Sequence, residues 1–323
     1  MGRGSKPPLK AERRYKTPAK PEKTARKPRA RSRKPARRTP ILLRPFVWLF
    51  RIFMRLFIRV GVLAAVILAL VVGYNAMTLP PVQNLLDARA RGSVTILDRN
   101  EQVFAWRGEQ FGGQITADTV SPHLKNAIIA TEDKRFYRHF GISPRGVASA
   151  IRINLREGRG PFQGHGGSTI TQQVAKLLCL GTEYDPAGHM SESEFEADCR
   201  RTTLARKIKE AIYSMAMEVR YSKDEILTIY LNRAYLGAGA RGFEAASQRY
   251  FGISANELLP SEAAMLAGLL VAPSRFAPTA NLQRSQDRAN LILGLMEDQG
   301  YLSPEDTAVS RANPAVLSAA AEA

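Results

Sequence analysis

The chain has 323 residues, with 47 Lys and Arg against 29 Asp and Glu, and its formal net charge is +18. Sixteen of the basic residues but only two of the acids, Glu12 and Glu22, lie in residues 1–40, so this tail alone carries +14. The uneven distribution excludes a uniformly basic folded domain.

Residues 1–40 are rich in Pro, Lys and Arg and contain almost no large apolar side chains. Such a segment cannot bury enough surface to offset its conformational entropy, so we expect a disordered tail. Two interpretations fit it. One is a solubilising tail next to a membrane, and the other is an arm that binds nucleic acid or anionic lipid.

Two apolar segments follow the tail. Residues 41–59 are apolar and aromatic, and they predict an amphipathic juxtamembrane segment suited to an anionic leaflet. Its arginines fall within one helical sector: Arg44, Arg51, Arg55 and Arg59. Residues 60–79 contain no charged residue, and twenty residues suffice to span a hydrocarbon core of about 30 Å. The sequence therefore predicts one transmembrane helix.

The basic tail sets the expected orientation. A cleaved signal peptide is the alternative to a membrane anchor, but the basic region is too long and no small-residue cleavage site follows. The positive-inside rule places the tail in the cytoplasm and the rest of the chain outside. Anionic lipid is then the simplest partner of the basic segment, and no nucleic acid is expected.

The outer part is predicted to be mainly α-helical. Residues 80–112 read as a linker and a short β-hairpin, because residues 93–106 alternate apolar and polar side chains on either side of Asp98-Arg99-Asn100. We find no strand pattern after Gly112. Residues 113–310 therefore predict one helical domain with a substantial core, and residues 311–323 an Ala-rich tail or linker.

Several capping signals mark helix boundaries in this domain. A serine precedes an acid by three residues at three predicted helix starts: Ser222 and Glu225, Ser254 and Glu257, and Ser303 and Asp306. Gly300 is expected to stop the helix that begins near Leu282, and Pro273 to end the run before it.

The two cysteines, Cys179 and Cys199, bracket an acidic stretch with turn signals. An oxidising compartment would permit a disulfide that closes this excursion. Two unpaired thiols remain the alternative, because the sequence does not give the distance between them.

A first candidate for chemistry is Glu132. It follows small and apolar residues at 127–130 and is itself followed by Asp133 and several cations. A partly dehydrated carboxylate has its pKa raised toward the range of a general base. Taken alone, the same string is also typical of a solvated helix face.

A second candidate is the loop that runs from Gly166 through Thr169. Gly166 and Gly167 let the backbone approach a ligand closely, and Thr169 with Gln172 predicts a capping box. A helix start of this kind offers free N–H groups to a phosphate, although a capped helix after a flexible loop looks the same. Lys176 adds a charge for that anion or lies on the surface.

A third candidate is the predicted helix 206–220. Its expected buried stripe comprises Ile208, Ala211, Ile212, Met215, Ala216 and Val219. The opposite face carries Arg206 and Glu210 as an i, i+4 ion pair, with Lys207 beside them. By periodicity this face is exposed, but under a cleft it would supply two cations and a second carboxylate.

Four segments together resemble a known family. They are EDKRFYRHFG (132–141), GGSTITQQVAK (166–176), RKIKE (206–210) and ILTIYLNRAYLGAGARGFEAA (226–246). In this order they resemble the motifs of glycosyltransferase family 51, the peptidoglycan glycosyltransferase domain of class A penicillin-binding proteins and monofunctional transglycosylases. The resemblance covers about residues 95–310. It implies a lysozyme-like helical fold with a small membrane-dipping jaw.

The resemblance also implies the reaction and its residues. The substrate would be lipid II, polymerised into β-1,4-linked glycan with inversion at the donor and release of undecaprenyl pyrophosphate. Glu132 matches the general base, and Glu210 matches the second acid, which holds a divalent cation (Mg or Mn) or orients the cations. No organic cofactor is implied. The matching substrate and pyrophosphate positions are Asp133, Arg135, Phe136, His139, Gly166, Gly167, Ser168, Thr169, Gln172, Gln173, Lys176, Arg206, Lys207 and Asn232.

The resemblance implies partners and a location as well. We expect a single-pass protein of the bacterial cytoplasmic membrane, with the catalytic domain on the periplasmic face. It would bind lipid II and the growing glycan, and it would interact with other cell-wall synthesis proteins.

The sequence departs from the family at three places. Leu177 stands where the family usually has Asn, and roughly twenty extra residues separate the second and third motifs. The Ser-x-x-Lys, Ser-x-Asn and Lys-Thr-Gly motifs of a transpeptidase are not found in the 323 residues. We expect the N-terminal part of a bifunctional class A protein slightly more than a monofunctional enzyme.

Two other functions remain open. A lysozyme-like glycan hydrolase would share the fold, but it would need a second carboxylate opposing the first rather than a cradle for an anion. A non-catalytic cell-wall scaffold would keep the fold and anchor, but it would have no reason to retain Glu132 and Glu210 together with the cations.

Overall fold

A computed structural model describes residues 44–86, 94–97, 99, 103–107, 110–111, 113–161, 163–164, 166–182, 184–185, 187–201 and 203–322. The predictions for the tail 1–40 lie outside these residues. The chain divides into two compact units, Met1–Arg59 and Val60–Ala323, and the candidate site lies in the second.

The described part of the chain is mainly helical, as predicted. Its α-helices are α1 Arg44–Thr78, α2 Val82–Leu86, α3 Pro122–Glu132, α4 Pro144–Arg156, α5 Ile170–Leu177, α6 Glu192–Arg200, α7 Leu204–Arg220, α8 Lys223–Arg233, α9 Phe243–Phe251, α10 Pro260–Leu269, α11 Pro273–Phe276, α12 Leu282–Asp298, α13 Pro304–Ala312 and α14 Ala319–Glu322. Short 3₁₀ turns cover Phe136–Arg138 and Cys179–Gly181.

One continuous helix, α1, covers residues of both predicted apolar segments. The sequence predicts a boundary near residue 59, but α1 continues from Arg44 to Thr78 because no proline or capping group interrupts it. Within the described residues, only Pro45–Thr78 is long and apolar enough to cross a membrane. Its 34 residues would extend about 50 Å at 1.5 Å per residue.

Four short strands accompany the helices. The predicted hairpin is confirmed: β1 Val94–Leu97 pairs antiparallel with β2 Val103–Arg107. β3 Gln110–Phe111 pairs in parallel with β4 Ala240–Arg241, so the prediction of no strand after Gly112 is wrong. A two-residue strand is too short to show the alternation on which that prediction depended.

The core of the second unit is built on two buried helices. In α8 every residue from Ile226 to Asn232 is buried, and in α10 every residue from Ala263 to Leu269 is buried. α10 packs against α3 and α12, while α5 packs against α7 and α8. The two helices that carry the first two motifs, α3 and α5, therefore rest on the core.

Most of the predicted helix boundaries agree with the structure. Ser222 and Ser303 cap α8 and α13, and Gly300, at φ 76°, follows the end of α12. Ser254 is different, because its hydroxyl lies in a turn and contacts Glu244 at 3.2 Å. α10 begins later, at Pro260, whose fixed φ suits the first position of a helix. Pro273 opens the short helix α11, and α10 has already ended at Leu269.

The predicted buried stripe of α7 is confirmed at Ala216, and at Ile212 and Met215, which pack against the core, but it is wrong at both ends. Ile208 and Val219, expected in the core, are 54% and 57% exposed. The buried residues of α7 are Glu210, Tyr213, Ser214, Ala216 and Met217. The polar side of the helix turns inward because it packs on the first motif, and the α7 backbone at Ser214 lies directly against Gly141. Three apolar side chains of α7 are exposed instead, and we call them the outer face of α7: Leu204, Ile208 and Val219.

Candidate active site

Glu132 is the last residue of α3 and is only partly exposed. Its Oε2 accepts a hydrogen bond of 2.8 Å from Nε2 of Gln173. Burial raises the pKa of the Glu132 carboxyl above its usual value. The Gln173 hydrogen bond and the positive charge of Arg288 act in the opposite direction, while Asp133 adds to the rise. Glu132 is thus a dehydrated carboxylate with one oxygen held in place, as a general base requires.

A buried tyrosine holds Gln173. The hydroxyl of Tyr230, on α8, donates to Gln173 Oε1 at 3.0 Å, and Tyr230 is almost fully buried. Burial raises the pKa of Tyr230 well above its usual value, with a further contribution from Glu132, so the phenol remains a neutral donor. Tyr230, Gln173 and Glu132 form a chain of hydrogen bonds that fixes the carboxylate.

The rest of the first motif joins α3 to the start of α5. Asp133 is buried, and its Oδ2 accepts from the Ile170 amide at 3.1 Å and from His139 Nε2 at 2.7 Å. Phe136 is fully buried, and Lys223 Nζ lies 4.6 Å from its ring centroid. These contacts connect the first motif to the start of α5 and to Lys223 at the start of α8. Arg135 is half-buried, and its Nε has no hydrogen-bond partner in the described part of the chain.

The glycine loop ends in the predicted capping box. Thr169 Oγ1 accepts from the Gln172 amide and Gln172 Oε1 accepts from the Thr169 amide, both at 3.1 Å. The Thr169 hydroxyl also donates to the Gly141 carbonyl at 2.6 Å, which ties this loop to the first motif. A Cβ on Gly167 would lie 2.6 Å from Val147 Cα on α4. Only glycine allows the loop to pass this close to α4.

Lys207 and Glu210 meet the glycine loop from α7. Nζ of Lys207 donates to Ser168 Oγ at 2.7 Å and forms an ion pair with Glu210. Glu210 is buried, with 5% of its surface exposed. The expected Arg206–Glu210 pair is therefore replaced by an i, i+3 pair between Lys207 and Glu210. Ser168 directly precedes Thr169, the cap of α5, so the half-exposed ammonium group of Lys207 lies beside the N-terminal end of α5. The buried carboxylate of Glu210 pairs with this ammonium group.

Arg206 turns toward the residues between Cys179 and Cys199. Its Nη1 donates to the main-chain carbonyl of Asp198 at 2.8 Å. Its Nη2 is buried and has no hydrogen-bond partner among the described residues. A buried donor of this kind is normally satisfied, and an anionic ligand would satisfy it.

Lys176 and Asn232, two further residues predicted to bind the substrate, have different surroundings. Lys176 is exposed on the last turn of α5. Asn232 was expected among the substrate-binding residues, but its amide is used by the backbone. Both Nδ2 hydrogens are donated, to Ile115 O and Thr228 O at 2.7 Å, and Oδ1 accepts from the Ile115 amide. Asn232 thus fastens the segment before α3 to α8 and does not reach the site.

A disulfide joins Cys179 and Cys199, whose Cα atoms are 5.2 Å apart. It encloses the short helix α6 between α5 and α7. We call residues 179–199 the disulfide insert.

Glu210 is the residue at which the sequence analysis expects a divalent cation. The described part of the chain contains no group of three or more His, Cys, Asp or Glu side chains that could hold a metal ion. The Glu210 carboxylate is already paired with Lys207. We therefore derive no step through a metal.

Sequence analysis missed several supporting residues. Gln299, the residue that follows α12, donates from Nε2 to the Ala130 carbonyl at 3.0 Å, and Arg288 of α12 lowers the pKa of Glu132. Behind the site, Glu218 accepts from Thr171 and Lys223, each at 2.6 Å. Tyr230 lies in the segment 226–246, but the sequence analysis assigns it no role of its own. Arg288 and Gln299 lie far along the chain from Glu132, so no local pattern could have indicated them.

The chain is similar to several known proteins. A family model described as transglycosylase matches residues 100–297. The chain is 38% identical over 252 residues to penicillin-binding protein 1A of Aquifex aeolicus (strain VF5), covering 76% of this chain and 32% of that protein. It is 37% identical over 235 residues to penicillin-binding protein 1A of Escherichia coli (strain K12), covering 72% and 25%.

A crystal structure of penicillin-binding protein 1A from Haemophilus influenzae also matches, with a TM-score of 0.40 and 24% identity, covering 71% of this chain and 21% of that one. The chain belongs to the transglycosylase family. It spans a third or less of the length of these relatives.

Proposed function

We propose that the chain is a peptidoglycan glycosyltransferase that polymerises lipid II into β-1,4-linked glycan. The observation that carries this proposal is the arrangement around the start of α5. Gln173 holds the carboxylate of Glu132, and one turn earlier Ser168 meets the Lys207–Glu210 pair. A base and an anion-binding group thus contact the same end of α5, at Gln173 in its first turn and at Ser168 just before its cap Thr169.

In the proposed reaction Glu132 takes the proton from the 4-hydroxyl of the acceptor sugar. That oxygen attacks the anomeric carbon of the donor from the face opposite the leaving group, so the configuration inverts. Gln173 occupies Oε2 of Glu132, which leaves Oε1 to receive the proton. The raised pKa of Glu132 makes the ionised carboxylate a stronger base than an exposed one.

The leaving group is undecaprenyl pyrophosphate, which departs as the bond to the anomeric carbon breaks. Its developing charge requires positive groups rather than an acid. Lys207 and the unpartnered Nη2 of Arg206 are suited to this role, and Lys176 adds an exposed charge on the same helix as Gln173. Glu210 orients Lys207 through their ion pair.

We place the reaction at a membrane surface, because lipid II carries its own lipid. α1 is the candidate anchor, with the basic tail in the cytoplasm and the catalytic unit on the periplasmic face of the cytoplasmic membrane. The outer face of α7 is suited to contact with lipid, since its three side chains are more than half exposed. The partners are then lipid II, the growing glycan and other cell-wall synthesis proteins.

The test is polymerisation of labelled lipid II by the purified full chain in liposomes. We expect polymer from the parent and from Glu257→Gln, which makes the same chemical change in an exposed turn, and none from Glu132→Gln. A melting curve confirms that Glu132→Gln is folded. No polymer from the parent would refute the proposal, and cleavage of glycan instead would favour a hydrolase.

A further inference from the structure

We infer that the disulfide insert is a positioning element for Arg206. The Cys179–Cys199 bond holds the carbonyl of Asp198 against the Nη1 edge of the guanidinium, so that this charged group is held in position for a phosphate of the substrate. This inference rests on the proposed function, because it assigns a task to the same anion-binding group.

The covalent connections are short on both sides of the contact. Asp198, whose carbonyl accepts from Arg206 Nη1 at 2.8 Å, is the direct neighbour of Cys199. Cys179 lies three residues after Lys176, at the end of α5. The disulfide therefore links the helix that carries Gln173 to the peptide group that contacts Arg206.

The backbone next to Cys179 is held in an unusual conformation. Cys179 and Leu180 have φ values of 49° and 57°, a left-handed region that residues with a Cβ rarely adopt. Such a conformation persists where its surroundings determine it. Here the crosslink holds one side, and Gly181 packs on the ring of Tyr213, on α7, so closely that a Cβ would lie 2.9 Å from its hydroxyl.

Arg206 gains from this arrangement because its side chain is long. An unrestrained arginine loses rotamer freedom when it binds an anion, whereas one already held by Nη1 has less to lose. Nη2 is buried and has no hydrogen-bond partner among the described residues, so the protein alone satisfies the guanidinium only in part before an anion binds. A crosslink that only stabilised the fold would act on the unfolded chain and would not depend on Arg206.

A double-mutant cycle separates these two roles. The cycle comprises the parent, Cys179→Ala/Cys199→Ala, Arg206→Ala and the triple variant, each assayed as the full chain for kcat and KM with lipid II in liposomes. We expect loss of the disulfide to lower kcat/KM roughly tenfold in the parent, mostly through KM. In the Arg206→Ala background it should have almost no further effect, because the group that it positions is gone.

Arg201→Ala is the matched control. Arg201 contacts the side chain of Asp198 at 3.3 Å and does not use its carbonyl, so kcat/KM should stay close to that of the parent. If the double-cysteine variant does not fold, the folded parent and Arg206→Ala are compared after reduction with a phosphine and alkylation of the two thiols. The phosphine is oxidised to its oxide as the disulfide becomes two thiols.

The results distinguish this inference from the proposed function. Equal losses with and without Arg206, accompanied by a lower melting temperature, would overturn the positioning role while leaving the glycosyltransferase intact. Absence of polymer from the oxidised parent would overturn the proposed function, and this inference with it.

Discussion

At the scale of single residues, Glu132 depends on groups from three separate parts of the chain. Gln173 of α5 donates to it, Tyr230 of α8 orients Gln173, and Arg288 of α12 lowers its pKa against the effect of burial. Hydrogen bonds to an ionised group are stronger than those between neutral groups, by roughly a factor of two. The balance between burial and these donors therefore sets the pH range in which Glu132 is a base.

Tyr230→Phe tests this balance. Without the hydroxyl, Gln173 is no longer held in position, and its bond to the ionised Glu132 weakens. Loss of a bond that favours the charged form raises the pKa of Glu132 further, so the acidic limb of the kcat/KM profile should move to higher pH. We expect activity on that limb to fall by a factor on the order of ten, with recovery at higher pH.

Tyr250→Phe is the control for the loss of a buried hydroxyl. Tyr250 is fully buried and donates to the Leu236 carbonyl at 3.0 Å, away from Glu132. It should lose stability of about 0.5–1.5 kcal/mol without a shift of the pH profile. A profile that moves equally in both variants would refute the role assigned to Tyr230.

At the scale of secondary-structure elements, the start of α5 connects the first two motifs. Asp133 accepts from its first amide, and the Gly141 carbonyl accepts from its cap, Thr169. Gly167 lies against the backbone of α4 just before this point. The glycine loop is therefore clamped between α4 and the end of α3 rather than free.

Gly167→Ala should break this clamp. The new methyl group would lie 2.6 Å from Val147 Cα, and a backbone atom cannot move aside as a flexible side chain can. We expect a loss of about 1–3 kcal/mol, measured as a lower melting temperature, together with weaker polymerisation.

Gly166→Ala is the matched variant for stability, because nothing lies within 4 Å of its Cβ position. Its melting temperature should remain near that of the parent. If the two alanine variants melted at the same temperature, the close packing of the loop on α4 would not be the constraint proposed here.

The sequence predicts those elements whose signals are local. The capping boxes at Thr169 and Ser222 involve residues three apart, and both form as predicted. The orientation of α7 is not local: apolar Ile208 and Val219 are exposed, and polar Glu210 and Ser214 are buried. A hydrophobic stripe normally turns inward. The burial of Glu210 and Ser214 is therefore understood only from their contacts: Glu210 pairs with Lys207, and the backbone at Ser214 lies against Gly141.

At the scale of the whole molecule, residues distant in sequence complete the site. Gln299 contacts the carbonyl of Ala130, 169 positions earlier, and Asn232 binds the backbone of Ile115, 117 positions earlier. The motif containing Asn232 was recognised correctly, but a motif does not separate a residue that holds the fold from one that binds a ligand. That distinction requires the hydrogen-bond partners.

Among the apolar side chains that are exposed in the described residues are those of α1 and of the outer face of α7. Leu204, Ile208 and Val219 are 79%, 54% and 57% exposed. Exposed apolar surface that is contiguous marks contact with a membrane or another protein. Because the proposed substrate is lipid-anchored, we expect the outer face of α7 to contact the bilayer during the reaction.

An environment-sensitive fluorophore on single cysteines tests this contact. Ile208→Cys and Val219→Cys are labelled with nitrobenzoxadiazole in the full chain, where Cys179 and Cys199 are bonded and do not react. In liposomes both labels should emit at shorter wavelength and resist a water-soluble quencher. Leu291→Cys, on α12 and 63% exposed, is the control for an exposed leucine elsewhere and should be quenched. Equal quenching at all three positions would mean that the outer face of α7 stays in water, and another protein would then be its more plausible partner.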